Sequence, residues 1–258
     1  MVTHLNFSIP GRCYEIDWLG RMEPFSRLFN HENSVLKVNM LSASNLKKEM
    51  PAVMLVLLLI FSSVALAGTI AGSVHDFRGY LWNESGEICK PCHTPHNTKP
   101  LPAPLWNHEM STVTYIMYDT ARSPTMDAAV DSQPGGPSKI CLSCHDGTVA
   151  LENYGDIRHG TIFLFGDALI GTDLSNDHPI SFVYDTSLAI EDGELYDPST
   201  KLSGLIRSSG TIHDDMLFQG RMECSSCHDV HNTRAVPGTK LLLKDNTGSA
   251  LCLTCHDK

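Results

Sequence analysis

Four short segments share one pattern, in which two cysteines are separated by two residues and followed at once by a histidine. The segments read CKPCH, CLSCH, CSSCH and CLTCH, and they begin at residues 89, 141, 224 and 252. Eight of the nine cysteines in the chain belong to these segments, and only Cys13 is left over. A chain with cysteine pairs of this regularity must build its fold around whatever binds them.

Each segment fits the attachment signature of c-type haem. Two intervening residues place the sulfurs about one helical turn apart, which suits thioether bonds to the two vinyl groups of one porphyrin. The next histidine can then bind the iron. The sequence therefore predicts four covalently bound haem c groups. The cysteines assigned to them are Cys89, Cys92, Cys141, Cys144, Cys224, Cys227, Cys252 and Cys255, and the first iron ligands are His93, His145, His228 and His256.

Zinc is the alternative ligand for these cysteines, because two CxxC pairs can form a site with four thiolates. Such a site does not require a histidine behind every second cysteine, whereas all four pairs have one. A disulfide within each pair would explain the cysteines but not the histidines.

Two segments carry a second histidine three residues after the first, His96 in CHTPHN and His231 in CHDVHN. Residues three apart on one helical turn lie on the same side. His96 therefore cannot reach the opposite face of the iron that His93 binds. We expect each of these additional histidines to bind the iron of another segment; the alternative is that it lies on the surface and binds none.

Two histidines on each iron would require four more, and seven are available after residue 67. The ranked candidates are His96 and His231, then His108 and His178, and then His75. We expect His159 and His213 to lie on the surface. The excess of histidine favours bis-histidine, low-potential haems over methionine ligation, which would raise the potential.

The segments also repeat as pairs, because a CxxCHxxHN segment is followed by a CLxCHD segment twice. This duplication predicts two dihaem halves, residues 68–155 and 156–258. Between the segments, the apolar runs 161–165 and 180–184 could pair as a small sheet, and residues 105–119 are the most helix-like.

The fold class expected from these features is that of a multihaem cytochrome c. The chain should be mostly irregular, with short helices at the CxxCH segments, a little β-structure and little protein-only core. Since few residues surround each porphyrin, most apolar burial should be against haem.

Residues 51–67 form an uncharged, mostly apolar stretch that follows two lysines and ends in small residues. This order is typical of a secretory signal. We expect residues 40–67 to be a signal peptide that is cleaved after Ala67; a retained membrane anchor is the alternative. The protein should therefore be exported, to the periplasm or out of the cell.

A signal peptide has only a short leader, yet residues 1–39 precede this one. We interpret residues 1–39 as a non-native upstream extension, produced by assigning the start codon too far upstream. Met40 or Met50 would then be the true start.

Longer stretches resemble the doubled-CxxCH multihaem cytochromes, and among them the extracellular tetrahaem cytochromes that polymerise into conductive filaments. The similar stretches are APLWNH, SKICLSCHDGTVAL, TDLSNDHPISF, CSSCHDVHN and SALCLTCH, spread over nearly all of residues 75–258. The resemblance implies haems stacked in a continuous chain, and an axial histidine that can come from an adjacent subunit. His75 would be the residue best placed to provide it.

Electron transfer is the predicted function, and the chain is not expected to be an enzyme, because six-coordinate irons leave no position for a substrate. We expect partners among redox proteins or extracellular electron acceptors, and a homopolymer with haem ligation between subunits. The net charge of −10 and the lack of a basic run argue against nucleic acid. The alternative function is a multihaem reductase with one five-coordinate catalytic haem.

Overall fold

The computed structural model describes residues 69–94 and 105–258, together with two short backbone strands nearer the N-terminus. The predicted signal peptide and His96 lie outside the described residues. The chain divides into two compact units, one containing Gly68–Lys258 and the other spanning Arg12–Ala67. All four CxxCH segments belong to the first unit.

The Arg12–Ala67 unit contains a two-stranded antiparallel ladder. Its strands are β1, Glu15–Ile16, and β2, Met22–Glu23. Glu15 lies opposite Glu23, and Ile16 lies opposite Met22.

The larger unit is mostly irregular within its described part. Its α-helices are α1, Gly136–His145; α2, Thr186–Asp192; α3, Ile212–Met216; and α4, Cys252–Cys255. Its 3₁₀ turns are Phe77–Gly79, Gly166–Ala168, Cys224–Ser226 and Thr247–Ser249. Strands β3, Phe182–Val183, and β4, Arg221–Met222, pair antiparallel with Phe182 opposite Met222. The predicted fold, irregular with short helices and a little β-structure, is confirmed.

Local sequence explains where several of these helices begin and end. Pro137 lies in the first turn of α1, where a missing N–H costs little. The Asp185 side chain caps α2, and Gly193 ends that helix in the left-handed conformation at φ 72°. Thr211 and Asp214 form a capping box at the start of α3. None of the helices among the described residues is long and apolar enough to cross a membrane.

Two of the secondary-structure predictions between the CxxCH segments are wrong. Residues 105–119 form no helix, and instead make isolated bridges at His108 and Ile116. A short strand does form within 180–184, but it pairs with β4 rather than with residues 161–165. Threonine and β-branched residues weaken helix propensity, and a short apolar run does not specify its partner, so tertiary contacts decided both cases.

Two apolar clusters hold the CxxCH segments in place. The larger cluster consists of Phe182, Tyr184, Leu188, Ala189, Leu205, Ile212, Met216, Met222, Leu243 and Cys255. The smaller consists of Tyr115, Leu142 and Leu174. Cys255 and Leu142 belong to the two CLxCH segments, so the core anchors both segments directly.

Candidate haem-binding sites

Each CxxCH segment forms a single helical turn. The backbone N–H of the histidine donates to the carbonyl of the first cysteine in three segments, at 2.8 Å to Cys89, 3.1 Å to Cys224 and 3.0 Å to Cys252. In the remaining segment, His145 is the last residue of α1. Since residues three and four apart share one face of a helix, each turn presents both cysteines and the histidine on the same side.

Backbone carbonyls fix the rings of three histidines through their Nδ1 atoms. The contacts are His145 to Ala168 at 2.8 Å, His228 to Lys240 at 2.9 Å and His178 to Pro179 at 2.8 Å. When Nδ1 donates to a carbonyl, Nε2 is left unprotonated, which is the form in which imidazole binds a metal. These contacts therefore prepare the three rings to bind iron through Nε2.

Three pairs of histidine rings lie at nearly the same separation. The ring centroids are 6.0 Å apart for His93 and His231, 6.1 Å for His75 and His145, and 6.5 Å for His178 and His256. In each pair one histidine directly follows a CxxC pair, and the other comes from elsewhere in the chain.

This separation fits two imidazoles on one metal ion. A metal–imidazole bond is about 2 Å long, so two rings that bind one ion from opposite sides have centroids roughly 6 Å apart. The angles between the ring planes are 22°, 46° and 73°. Rotation about the bond axis changes such an angle without changing the distance, so all three pairs are compatible with bis-histidine binding.

His75 has a strongly perturbed imidazole. Burial and the neighbouring rings of His145, His228 and His231 lower its pKa to about 4. The ring is therefore neutral at physiological pH, as metal binding requires. Its segment is also well fixed, because Asp76 accepts a hydrogen bond from the backbone N–H of Gly72 at 2.6 Å.

Two buried polar atoms beside these histidines lack a partner among the described residues. They are Nδ1 of His75 and Nε1 of Trp106, whose ring centroid lies 6.0 Å from that of His93. An unpaired buried donor costs about 1–3 kcal/mol. Because haem carries propionate carboxylates that accept hydrogen bonds, the residues present fit a bound haem.

Thiols from successive CxxCH segments are neighbours. The neighbouring thiols are Cys92 and Cys144, Cys141 and Cys224, and Cys227 and Cys255. A hydrogen bond with Cys224, together with burial, raises the pKa of Cys141. Burial and the Cys92 thiol raise the pKa of Cys144 to about 12. The four attachment sites therefore follow one another in space in the order of the sequence.

One of the eight attachment cysteines differs from the others. Cys89 is disulfide-bonded, whereas the other seven carry free thiols. A thioether bond forms from a free thiol. Haem attachment at the first segment therefore needs Cys89 in its free-thiol form.

In both CLxCHD segments, the aspartate that follows the histidine is hydrogen-bonded to a tyrosine. The Tyr115 hydroxyl donates to Asp146 at 2.6 Å, and the Tyr196 hydroxyl donates to Asp257 at 2.7 Å. Each contact fixes the backbone directly after an iron-binding candidate. Sequence reasoning missed this role, although the aspartate shared by the two segments was a visible signal.

The remaining histidines are placed differently. His108 is 2% exposed, with Nδ1 2.8 Å from the Glu109 carbonyl and Nε2 3.2 Å from the Ala150 carbonyl. Binding of iron through Nε2 would require this ring to leave the Ala150 carbonyl, whereas its Nδ1 contact is of the same kind as that of His178. His159 and His213 are exposed, as predicted.

The structure offers no assembled ligand set for the zinc alternative in the part of the chain that it describes. Within 69–94 and 105–258, no three histidine, cysteine, aspartate or glutamate side chains are grouped so as to hold a metal ion.

Residues 217–258 match the family model of the doubled CXXCH motif. The match supports a multihaem c-type cytochrome-like family. It covers the third and fourth CxxCH segments and indicates covalently bound haem c, so the sequence prediction of haem is confirmed there. No curated protein matches the chain.

Proposed function

We propose that this chain is an exported tetrahaem c-type cytochrome that transfers electrons through bis-histidine haems. The observation that carries the proposal is the set of three ring pairs, 6.0–6.5 Å apart, in which a CxxCH histidine faces a histidine from elsewhere. An iron bound on both faces keeps no position for a substrate. One-electron exchange is then the chemistry that such haems supply.

The ring pairs support an assignment of the second ligands. His231 would bind the iron of the first segment, His75 that of the second and His178 that of the fourth. The duplication assigns His96 to the third segment, because it has the same offset in CHTPHN as His231 has in CHDVHN. The two CxxCHxxHN segments would thus exchange their second histidines.

The interactions between thiols of successive segments support a path for electrons along the chain. Successive attachment cysteines are neighbours from the first segment to the fourth. Neighbouring attachment points keep neighbouring porphyrins close, so electrons would enter at one terminal haem and leave at the other. The net charge of −10 favours cationic redox partners or acceptors.

Carbon monoxide binding to the reduced, haem-loaded protein tests this function. Carbon monoxide needs an open iron position, so a protein with four bis-histidine haems should bind none and should show only low-spin iron in its ferric state. Ready binding of one carbon monoxide per chain would instead favour the multihaem reductase with a five-coordinate haem.

Filament formation is the part of the proposal that concerns assembly. It is supported by the resemblance to filament-forming cytochromes, in which an axial histidine can come from the adjacent subunit. His75 faces His145 within one chain. The same pair would form between subunits if the N-terminal segment were exchanged, as in domain swapping. Negative-stain microscopy of the secreted protein tests this, since unbranched filaments are expected and single particles alone would refute it.

A further inference from the structure

A carboxyl group is buried between the second and third CxxCH segments. Glu223 is 1% exposed and directly precedes Cys224. Its carboxylate accepts hydrogen bonds from the Ser138 hydroxyl of α1 and, at 3.1 Å, from the Ser181 hydroxyl. The Ser138 oxygen in turn accepts the backbone N–H of Cys224 at 2.9 Å. One small network therefore joins both haem segments to this carboxyl.

The negative charge of Glu223 is only partly compensated. Its Oε1 atom is buried without a hydrogen-bond partner, and Nε of Arg221 lies 3.7 Å away, too far for a hydrogen bond. Arg221 also pairs with Asp131 and donates to the Ser181 carbonyl at 2.9 Å. Burial raises the pKa of Glu223, while the hydrogen bonds from Ser138 and Ser181 and the charge of Arg221 act against this shift.

Four groups face Glu223 and can affect the pKa of its carboxyl. The groups are Ser138 in α1, Ser181 directly before β3, Arg221 in β4 and Cys224 in the third CxxCH segment. The Cys224 thiol is hydrogen-bonded to that of Cys141. In the proposed function both become thioethers, which do not titrate. The charged neighbours that remain among the described residues are Arg221 and, beyond it, Asp131.

We infer that Glu223 takes up a proton when a neighbouring haem iron is reduced and releases it when that iron is oxidised. The inference rests on the proposed function, because it requires haems on Cys141 and Cys224. In the haem-loaded chain, one electron from a donor redox protein would reduce the ferric iron to ferrous, and one proton from solvent would convert the Glu223 carboxylate to the carboxyl. Ferric iron carries one more positive charge, which favours the carboxylate, and this attraction is strong in a poorly hydrated interior.

A short route connects this carboxyl to water. Arg221 lies against Glu223 with 28% of its side chain exposed, and it extends to Asp131 on the surface. Because a guanidinium does not give up its proton, the proton would travel through water beside the partly exposed Arg221 side chain.

The coupling makes the haem potential depend on pH. Between the pKa values of Glu223 in the oxidised and reduced protein, each tenfold fall in proton concentration should lower the potential by up to about 59 mV for a one-electron couple. The slope of a single haem is smaller if the second and third haems share the effect.

Substitution of Glu223 by glutamine tests the inference, because it keeps the shape and removes the proton exchange. Potentials of the haem-loaded wild type and E223Q are measured spectroelectrochemically over a range of pH. The wild type should show the slope, and E223Q should lose most of it. The matched control is E191Q, which removes an exposed carboxylate and the same charge. E191Q should retain the wild-type slope.

Infrared difference spectra of reduced minus oxidised protein provide a second readout. A band from a protonated carboxyl should appear on reduction in the wild type and be absent in E223Q. Ser138→Ala keeps Glu223 but removes a hydrogen bond that stabilises its charge, so the pH window of the slope should move to higher pH. If E223Q loads its haems and keeps both slope and band, the inference is overturned. Absence of haem from the wild type would refute the proposed function itself.

Discussion

Replacement of His178 by alanine tests the assignment of the second ligands most cleanly. His178 faces His256, and burial followed by the charge of His178 lowers the pKa of His256. His75, by contrast, is influenced by three other imidazoles. If His75 were replaced, one of these rings could take its place on the iron. If His178 were replaced, no such ring lies beside His256 among the described residues.

The size of the expected effect follows from this pairing. In H178A one of the four irons should lose its second ligand and become five-coordinate and high-spin. The reduced variant should then bind one carbon monoxide per chain, to one haem in four. His178 is exposed, and its bond to the Pro179 carbonyl is worth about 1 kcal/mol. The fold and all four haem attachments should therefore survive.

Visible absorption during carbon monoxide titration measures the stoichiometry, and paramagnetic resonance of the ferric protein measures the high-spin fraction. His159→Ala is the matched control, because His159 is equally an exposed histidine but faces no CxxCH histidine among the described residues. It should bind no carbon monoxide. His178→Met should restore a low-spin haem with a raised potential. An unchanged spectrum for H178A, or the same change in H159A, would refute the assignment.

Three further substitutions address stability, each followed by urea denaturation of the haem-loaded protein. Tyr115→Phe removes the 2.6 Å hydrogen bond to buried Asp146 and should lower the free energy of unfolding by about 1–3 kcal/mol. An unchanged urea midpoint would show that this hydrogen bond does not stabilise the fold. Ile212→Ala, at a 0% exposed core position, should cost about 2–5 kcal/mol. Ile206→Ala, at a 65% exposed position, is its control and should cost far less. Glu223→Gln should change how stability depends on pH. Burial raises the pKa of Glu223, so the folded state favours the protonated carboxyl. The stability that this preference contributes is complete below the usual carboxyl pKa of 4.5. It is lost as the pH rises through the raised pKa of the folded state. The wild type should therefore lose stability relative to the variant as pH rises through this window, and parallel pH profiles would contradict the shift.

Local features of the sites could be predicted from the sequence because few adjacent residues determine them. The CxxCH spacing specifies a helical turn, and each of the four segments has one. The small number of residues around each expected porphyrin predicted an irregular fold. His159 and His213 are exposed, as expected.

The pairing of distant histidines could not be predicted, because it depends on how loops of unequal length pack. His178 and His256 meet although they are far apart in the sequence, and so do His75 and His145. The ranking by repetition placed His231 first together with His96, and the His231 ring lies 6.0 Å from that of His93; its role as an iron ligand stays a prediction. It contained no information on burial, so the position of Glu223 between two segments had no signal in the sequence.

The mass of the intact protein, made in cells that attach haem, tests the central claim most directly. The account predicts the polypeptide plus four haem groups, with one haem on each of the four CxxCH peptides after digestion. The mass of the bare polypeptide, or haem confined to the peptides within residues 217–258, would contradict it.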